Sequence, residues 1–65
     1  MNWDRVEGNW KEFKGKVKQQ WGKVTDDDIA VIDGHRDELE GLLQQRYGYA
    51  KDKAATEVDT WLNKQ

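Results

Sequence analysis

Residues 3–24 read WDRVEGNWKEFKGKVKQQWGKV, and this stretch decides the fold. Trp3, Val6, Trp10, Phe13, Val17, Trp21 and Val24 recur at steps of 3, 4, 3, 4, 4 and 3, the period of one helical face. At 100° per residue the seven side chains share an arc of about 80°, a narrow apolar stripe on a polar cylinder. Asn2 stands where an N-cap belongs and Asp4 lies in the first turn, where a carboxylate complements the helix dipole. Glu7 with Lys11, and Glu12 with Lys16, are i,i+4 pairs in the favourable order. Gly22 offers a left-handed stop. The spacing predicts one helix over about residues 3–21, roughly 28 Å long. Gly8 and Gly15 fall inside it on the side away from the stripe, each costing about 1 kcal/mol relative to alanine. They read as a weakened, solvent-facing surface; the sharper alternative is a close-approach surface for another backbone or a partner.

Working outward, Thr25 and Asp28 form a capping-box pattern ahead of a short helix carrying Ile29 and Ile32 and ending near Gly34. A further helix is predicted from His35 to Tyr47, with Leu39, Leu42, Leu43 and Tyr47 on one side and Gly48 as its stop. The last helix spans about Lys51 to Leu62, with Ala54, Val58, Trp61 and Leu62 inward. Its N-cap position is Ala50, which has no side-chain oxygen to offer. Zero proline and almost no β-branched alternation complete an all-α reading of about four helices joined by short turns.

The composition bounds what such a bundle does. Sixty-five residues make one domain. Charged residues are 37%, hydrophobic residues 35%, and mean hydropathy is −1.15, so the core is small and the surface large. Four Trp, two Tyr and one Phe nevertheless separate the chain from those that never fold. With no Cys there are no disulfides, thiolate sites or thiol nucleophiles, and stability rests on packing, with a ceiling of about 3–5 kcal/mol. No apolar run is long enough to span a membrane, and no secretory signal pattern opens the chain, so the expected address is cytoplasmic. A net charge of −2 argues against a nucleic-acid partner.

Catalytic and metal constellations are weak. Asp26, Asp27 and Asp28 point about 100° apart on a helix, so they read as N-terminal helix charge and not as a metal site. His35 is the lone histidine and reads as a solvated surface group. Serine is absent, and Thr25, Thr56 and Thr60 have no convincing base. The expectation is a non-enzyme without cofactors.

Charge is distributed unevenly. Residues 11–23 hold five lysines against one acid, and residues 26–40 hold seven acids against one base. Helical angles place the lysines on both flanks of the stripe, so the simplest reading is pairing of the basic helix with the acidic segment inside one monomer. The alternative is a surface-seeking amphipathic helix, with Trp3, Trp10, Lys14, Lys18 and Trp21 as the candidate interaction surface for a protein partner or a peripheral membrane contact. Tryptophan at this spacing is the core first, because the chain has little else to build one from.

Asn9-Trp10-Lys11 after Gly8, Phe13 through Lys18, and Gln20-Trp21-Gly22-Lys23 resemble the CsbD-like family of small bacterial stress proteins. So do Thr25-Asp26-Asp27-Asp28, Ile32-Asp33-Gly34, Arg36-Asp37-Glu38-Leu39 and Arg46-Tyr47-Gly48-Tyr49, and the likeness continues through Lys51-Asp52, Ala54, Glu57-Val58 and Trp61. The resemblance covers essentially the whole chain. It implies a small all-α bundle of two crossed α-hairpins and an association with general stress responses. It implies no catalytic activity, cofactor or binding residue. Two roles compete within it: a hydrophilic protectant, and a folded binding module that uses its Trp-bearing first helix.

Overall fold

A computed structural model describes residues 1–65. Five helices follow one another: α1 (Trp3–Gly8), α2 (Trp10–Gln20), α3 (Asp26–Ile32), α4 (Arg36–Tyr47) and α5 (Lys51–Asn63). The fold is a small all-α bundle. α4 and α5 share the largest helix–helix interface, α3 lies on α4, and α2 lies on α3. The radius of gyration is 10.5 Å, close to the roughly 11 Å expected of a folded chain this long and far from about 24 Å unfolded.

The expected single helix over 3–21 is broken. Asn9 sits at φ −118°, ψ 36°, outside the helical basin, and its carbonyl accepts from the N–H groups of both Glu12 and Phe13 as a second helix begins. Gly8 and Asn9 are adjacent weak helix formers, which makes this the cheapest place to interrupt the ladder. The apolar stripe runs through the break unaltered, with Val6, Phe13 and Val17 all buried, so the spacing could not reveal it. Asn2 does cap α1, its side chain accepting from the Arg5 N–H at 3.3 Å.

Gly22 does not take the left-handed stop expected of it. α2 ends a residue earlier, at Gln20, because Trp21 itself turns to φ −121°, ψ 86° and drops its ring into the core. The Val24 N–H then closes the turn onto the Trp21 carbonyl at 3.0 Å. The remaining boundaries follow the sequence reading. Thr25 Oγ1 accepts from the Asp28 N–H at 3.1 Å and Asp28 Oδ2 accepts from the Thr25 N–H at 3.0 Å, a complete capping box. Gly48 ends α4 at φ 71°, ψ 22°, and Ala50 gives α5 no side-chain cap.

Gly34 has the tightest backbone requirement. Its φ is +83°, and a Cβ built there would lie 3.4 Å from Glu7 Cγ. Its carbonyl accepts from Trp3 Nε1–H at 2.8 Å, joining α1 to the α3–α4 turn. Gly8 and Gly15, in contrast, have open space where a Cβ would stand, which is the solvent-facing reading and not a close approach within the chain.

Fourteen buried hydrophobic residues form one core, with Met1, Trp3, Trp10, Tyr47 and Tyr49 packed partly buried against it. Its centre is Trp61. The ring meets Trp3 at 6.4 Å, Phe13 edge-on at 6.3 Å and Trp21 at 5.6 Å between centroids. Tilted and edge-to-face pairs of this kind add stabilisation beyond burial.

Removing that centre should undo the domain. Trp61→Ala is expected to cost about 3–5 kcal/mol, enough to abolish cooperative unfolding in a far-UV circular dichroism melt. Gly15→Ala should move the other way, raising stability by up to about 1 kcal/mol in the same melt.

Candidate functional site

α2 and α3 enclose the largest concavity in the molecule, a groove of about 550 Å³. Trp10 stands at one end. Lys11, Lys14 and Lys18 follow at positions i, i+3 and i+7, which places them on one flank of the apolar stripe, with Gly15 beside them. The facing wall is Asp26, Ile29, Ala30 and Asp33, spaced i, i+3, i+4 and i+7 along α3. The floor is apolar, one rim is cationic, and the acids stand on the other. Lys18 Nζ bonds Asp26 Oδ1 across the groove and ties the end of α2 to the start of α3.

The five residues proposed as an interaction surface separate in the fold. Trp10, Lys14 and Lys18 come together at the groove. Trp21 does not belong to any surface: it is 3% exposed, its ring packed at a tilt against Trp61. Trp3 is half-buried and its only polar atom is spent on Gly34. The physical reason is shortage of apolar material, since a 14-residue core cannot spare indoles to solvent.

The expected pairing of basic helix with acidic segment is confined to Lys18–Asp26. The other acids of 26–40 that form ion pairs take arginines outside the basic helix, Arg46 and the segment's own Arg36. Asp28, 6% exposed, receives Arg46 in a two-pronged contact, Nε to Oδ2 at 3.0 Å and Nη2 to Oδ1 at 2.9 Å. Glu40 takes Arg36 Nε at 2.6 Å, and Arg36 Nη2 continues to Asp59 Oδ1 at 2.7 Å and the Ala55 carbonyl at 3.1 Å. Arg36 thus clamps α4 to α5, as Arg46 clamps α4 to α3. The i,i+4 spacing of Arg36 and Glu40 was visible in the sequence; the 18-residue reach from Arg46 to Asp28 had no local signal. The three aspartates Asp26, Asp27 and Asp28 go separate ways, to Lys18, to solvent and to Arg46.

A second surface feature lies at the α4–α5 turn. Tyr47 and Tyr49 stack at 5.3 Å, with Lys23 Nζ 5.0 Å above the first ring and Lys53 Nζ 5.0 Å above the second. The Tyr47 hydroxyl also accepts from the Lys23 N–H at 3.2 Å. Burial, then the neighbouring Glu57 carboxylate, raise the Tyr49 phenol above its ordinary value. His35 is exposed at the start of α4 and its side chain caps nothing.

With these contacts in place the comparison with known proteins has structural meaning. The CsbD-like family profile matches residues 4–56. The chain belongs to the CsbD-like family. It is 64% identical over 61 residues to the UPF0337 protein YjbJ of Escherichia coli O6:H1, covering 94% of this chain and 88% of that relative. A UPF0337 protein of Rhodopseudomonas palustris is 67% identical over 61 residues, covering 94% and 92%. YjbJ of Salmonella typhimurium is 62% identical over 61 residues, covering 94% and 87%. In this CsbD-like chain the stretches that carried the resemblance lock onto one another. Thr25-Asp26-Asp27-Asp28 supplies the capping box and the carboxylate for Arg46. Arg46-Tyr47-Gly48-Tyr49 supplies the guanidinium, the left-handed stop and the stacked pair. Trp21-Gly22-Lys23 supplies a core indole and the N–H and ammonium that engage Tyr47.

Acid should release this lock. The Arg46 hydrogen bonds, with help from the Thr25 backbone, hold the Asp28 carboxyl at about 2 instead of the usual 3.8. A carboxyl depressed by folding contributes stability that is fully present above its unfolded value and lost as pH falls through the folded one. Urea midpoints are therefore expected to drop between about pH 4 and pH 2, and Asp28→Asn should be weaker at neutral pH with a flatter profile across that window.

Proposed function

We propose that this chain is a non-enzymatic bacterial stress-response protein that acts in the cytoplasm as a hydrophilic protectant. The observation that carries the reading is the surface. Of the large hydrophobic residues only Val31 is substantially exposed, at 58%, while every Trp and the Phe are buried or half-buried. What faces water is a mixture of lysines, aspartates and glutamates. A protectant has to remain soluble while its concentration rises and water is withdrawn, and a highly charged surface with a single exposed large apolar side chain serves that need. The non-enzymatic part is supported by the residue inventory: no Ser, no Cys, and a single His that is exposed and caps nothing. No helix is long and apolar enough to cross a membrane.

The second reading is a folded binding module, favoured by the groove between α2 and α3, where Lys11 and Lys14 form no ion pair. The two readings separate in one experiment. An unrelated enzyme is dried and rehydrated with this protein or with an inert protein at equal mass. Recovery several-fold above the inert control is the expected outcome; parity overturns the protectant reading.

A further inference from the structure

The charge asymmetry of the sequence survives folding. Of the seven acids in residues 26–40, only Asp26, Asp28 and Glu40 form ion pairs, which leaves Asp27, Asp33, Asp37 and Glu38 without one. On the basic side Lys11 and Lys14 are likewise unpaired at the groove rim. The one exposed large hydrophobic residue, Val31, lies in the midst of the acidic surplus, on a shallow face it shares with Asp37, Glu38, Gly41 and Leu42. The groove and the Val31 face occupy opposite flanks of α3: Ile29 and Ala30 line the first, and Val31 the second. A single copy therefore cannot bring one against the other.

We infer that the acidic Val31 face of one copy docks on the lysine-rimmed α2–α3 groove of another, giving a weak head-to-tail self-association. Charge complementarity selects the occupant. Val31, with Asp37 and Glu38 beside it, presents an apolar centre flanked by negative charge. The groove presents Trp10, Ile29 and Ala30 with the unpaired Lys11 and Lys14 along its α2 rim, while Asp33 stands on the α3 side and leaves the α2 rim as the part that takes the acids. The two patches differ, so the contact is heterologous and extends into chains instead of closing as a symmetric dimer. Each patch is small, which puts the contact in the transient class, populated only at high protein concentration. Exposed charges set the attraction, so it weakens as salt shortens the screening length from about 10 Å at 0.1 M to about 3 Å at 1 M. This goes beyond the protectant reading and does not depend on it.

Sedimentation velocity from micromolar to millimolar protein, in low and in molar salt, tests the contact, with amide shifts in ¹H–¹⁵N spectra locating it. The expected result is an average mass that rises with concentration in low salt, falls back in molar salt, and is accompanied by shifts at Gly15, Ala30, Val31 and Gly41. Val31→Asp, the pair Lys11→Glu with Lys14→Glu, and the pair Asp37→Lys with Glu38→Lys should each abolish the rise. All five positions are exposed, and circular dichroism establishes that the variants fold. Mixing the two charge-reversed pairs should restore association between them. A mass that stays monomeric at millimolar protein in low salt overturns the proposal. So does association that is indifferent to these substitutions. If the protein stays monomeric while anionic phosphatidylglycerol vesicles shift the Gly15 and Ala30 amides, the groove belongs to a membrane surface and the proposal is likewise overturned.

Discussion

Trp61 is the residue on which the rest of this structure depends. A chain of 65 residues with no cysteine has to be held by packing, and hydrophobic residues are only 35% of it. The indole of Trp61 makes that small supply sufficient by touching Trp3, Phe13 and Trp21 at once. One side chain near the carboxyl end therefore fastens α1, α2 and the segment that follows α2. The other helices gather around this point, with Leu39, Leu43, Ala54 and Val58 completing the interior at no measurable exposure.

A polar framework sits outside that interior and fixes how the helices meet. Arg46 reaches Asp28, and Arg36 reaches Glu40 and Asp59, so α4 is bonded to α3 on one side and α5 on the other. These contacts are partly screened, and arginine suits them because its fork engages a carboxylate with two nitrogens in a fixed geometry. The stretches that mark family membership map onto this framework and its turns, and they also supply Trp10, Lys11, Lys14, Gly15, Lys18, Asp26 and Asp33 of the groove.

Most of the architecture was legible because helical period and turn chemistry are local. The 3–4 spacing identified the inward residues, and Asn2, Thr25, Gly34 and Gly48 stood where caps and stops were needed. The break at Asn9 was not legible, since Gly8 and Asn9 face away from the core and leave the apolar stripe intact. Nor was the fate of Gly22, because the residue that ends α2 is Trp21, pulled inward by a partner 40 positions away. The candidate surface was half legible for the same reason. Helical angles put Trp10, Lys14 and Lys18 on neighbouring positions, but only the tertiary fold could assign Trp21 to Trp61 and place α3 opposite the lysines. Long-range ion pairs left no trace in local spacing at all.

The order in which the helices meet has a kinetic side. α2 with α3, α3 with α4 and α4 with α5 are all neighbours in sequence, joined by loops of three to five residues. Topologies dominated by such local contacts fold in microseconds to milliseconds. The exceptions are the contacts of Trp61 with Trp21, Phe13 and Trp3, the last of which closes nearly the whole chain. Closing so long a loop costs entropy that grows only with the logarithm of its length, yet no local contact offsets it in advance. The paired helices can therefore assemble first and the carboxyl-terminal anchor seat last. A chain built this way regains its fold rapidly after each episode of unfolding, with no proline isomerisation or disulfide exchange to wait for.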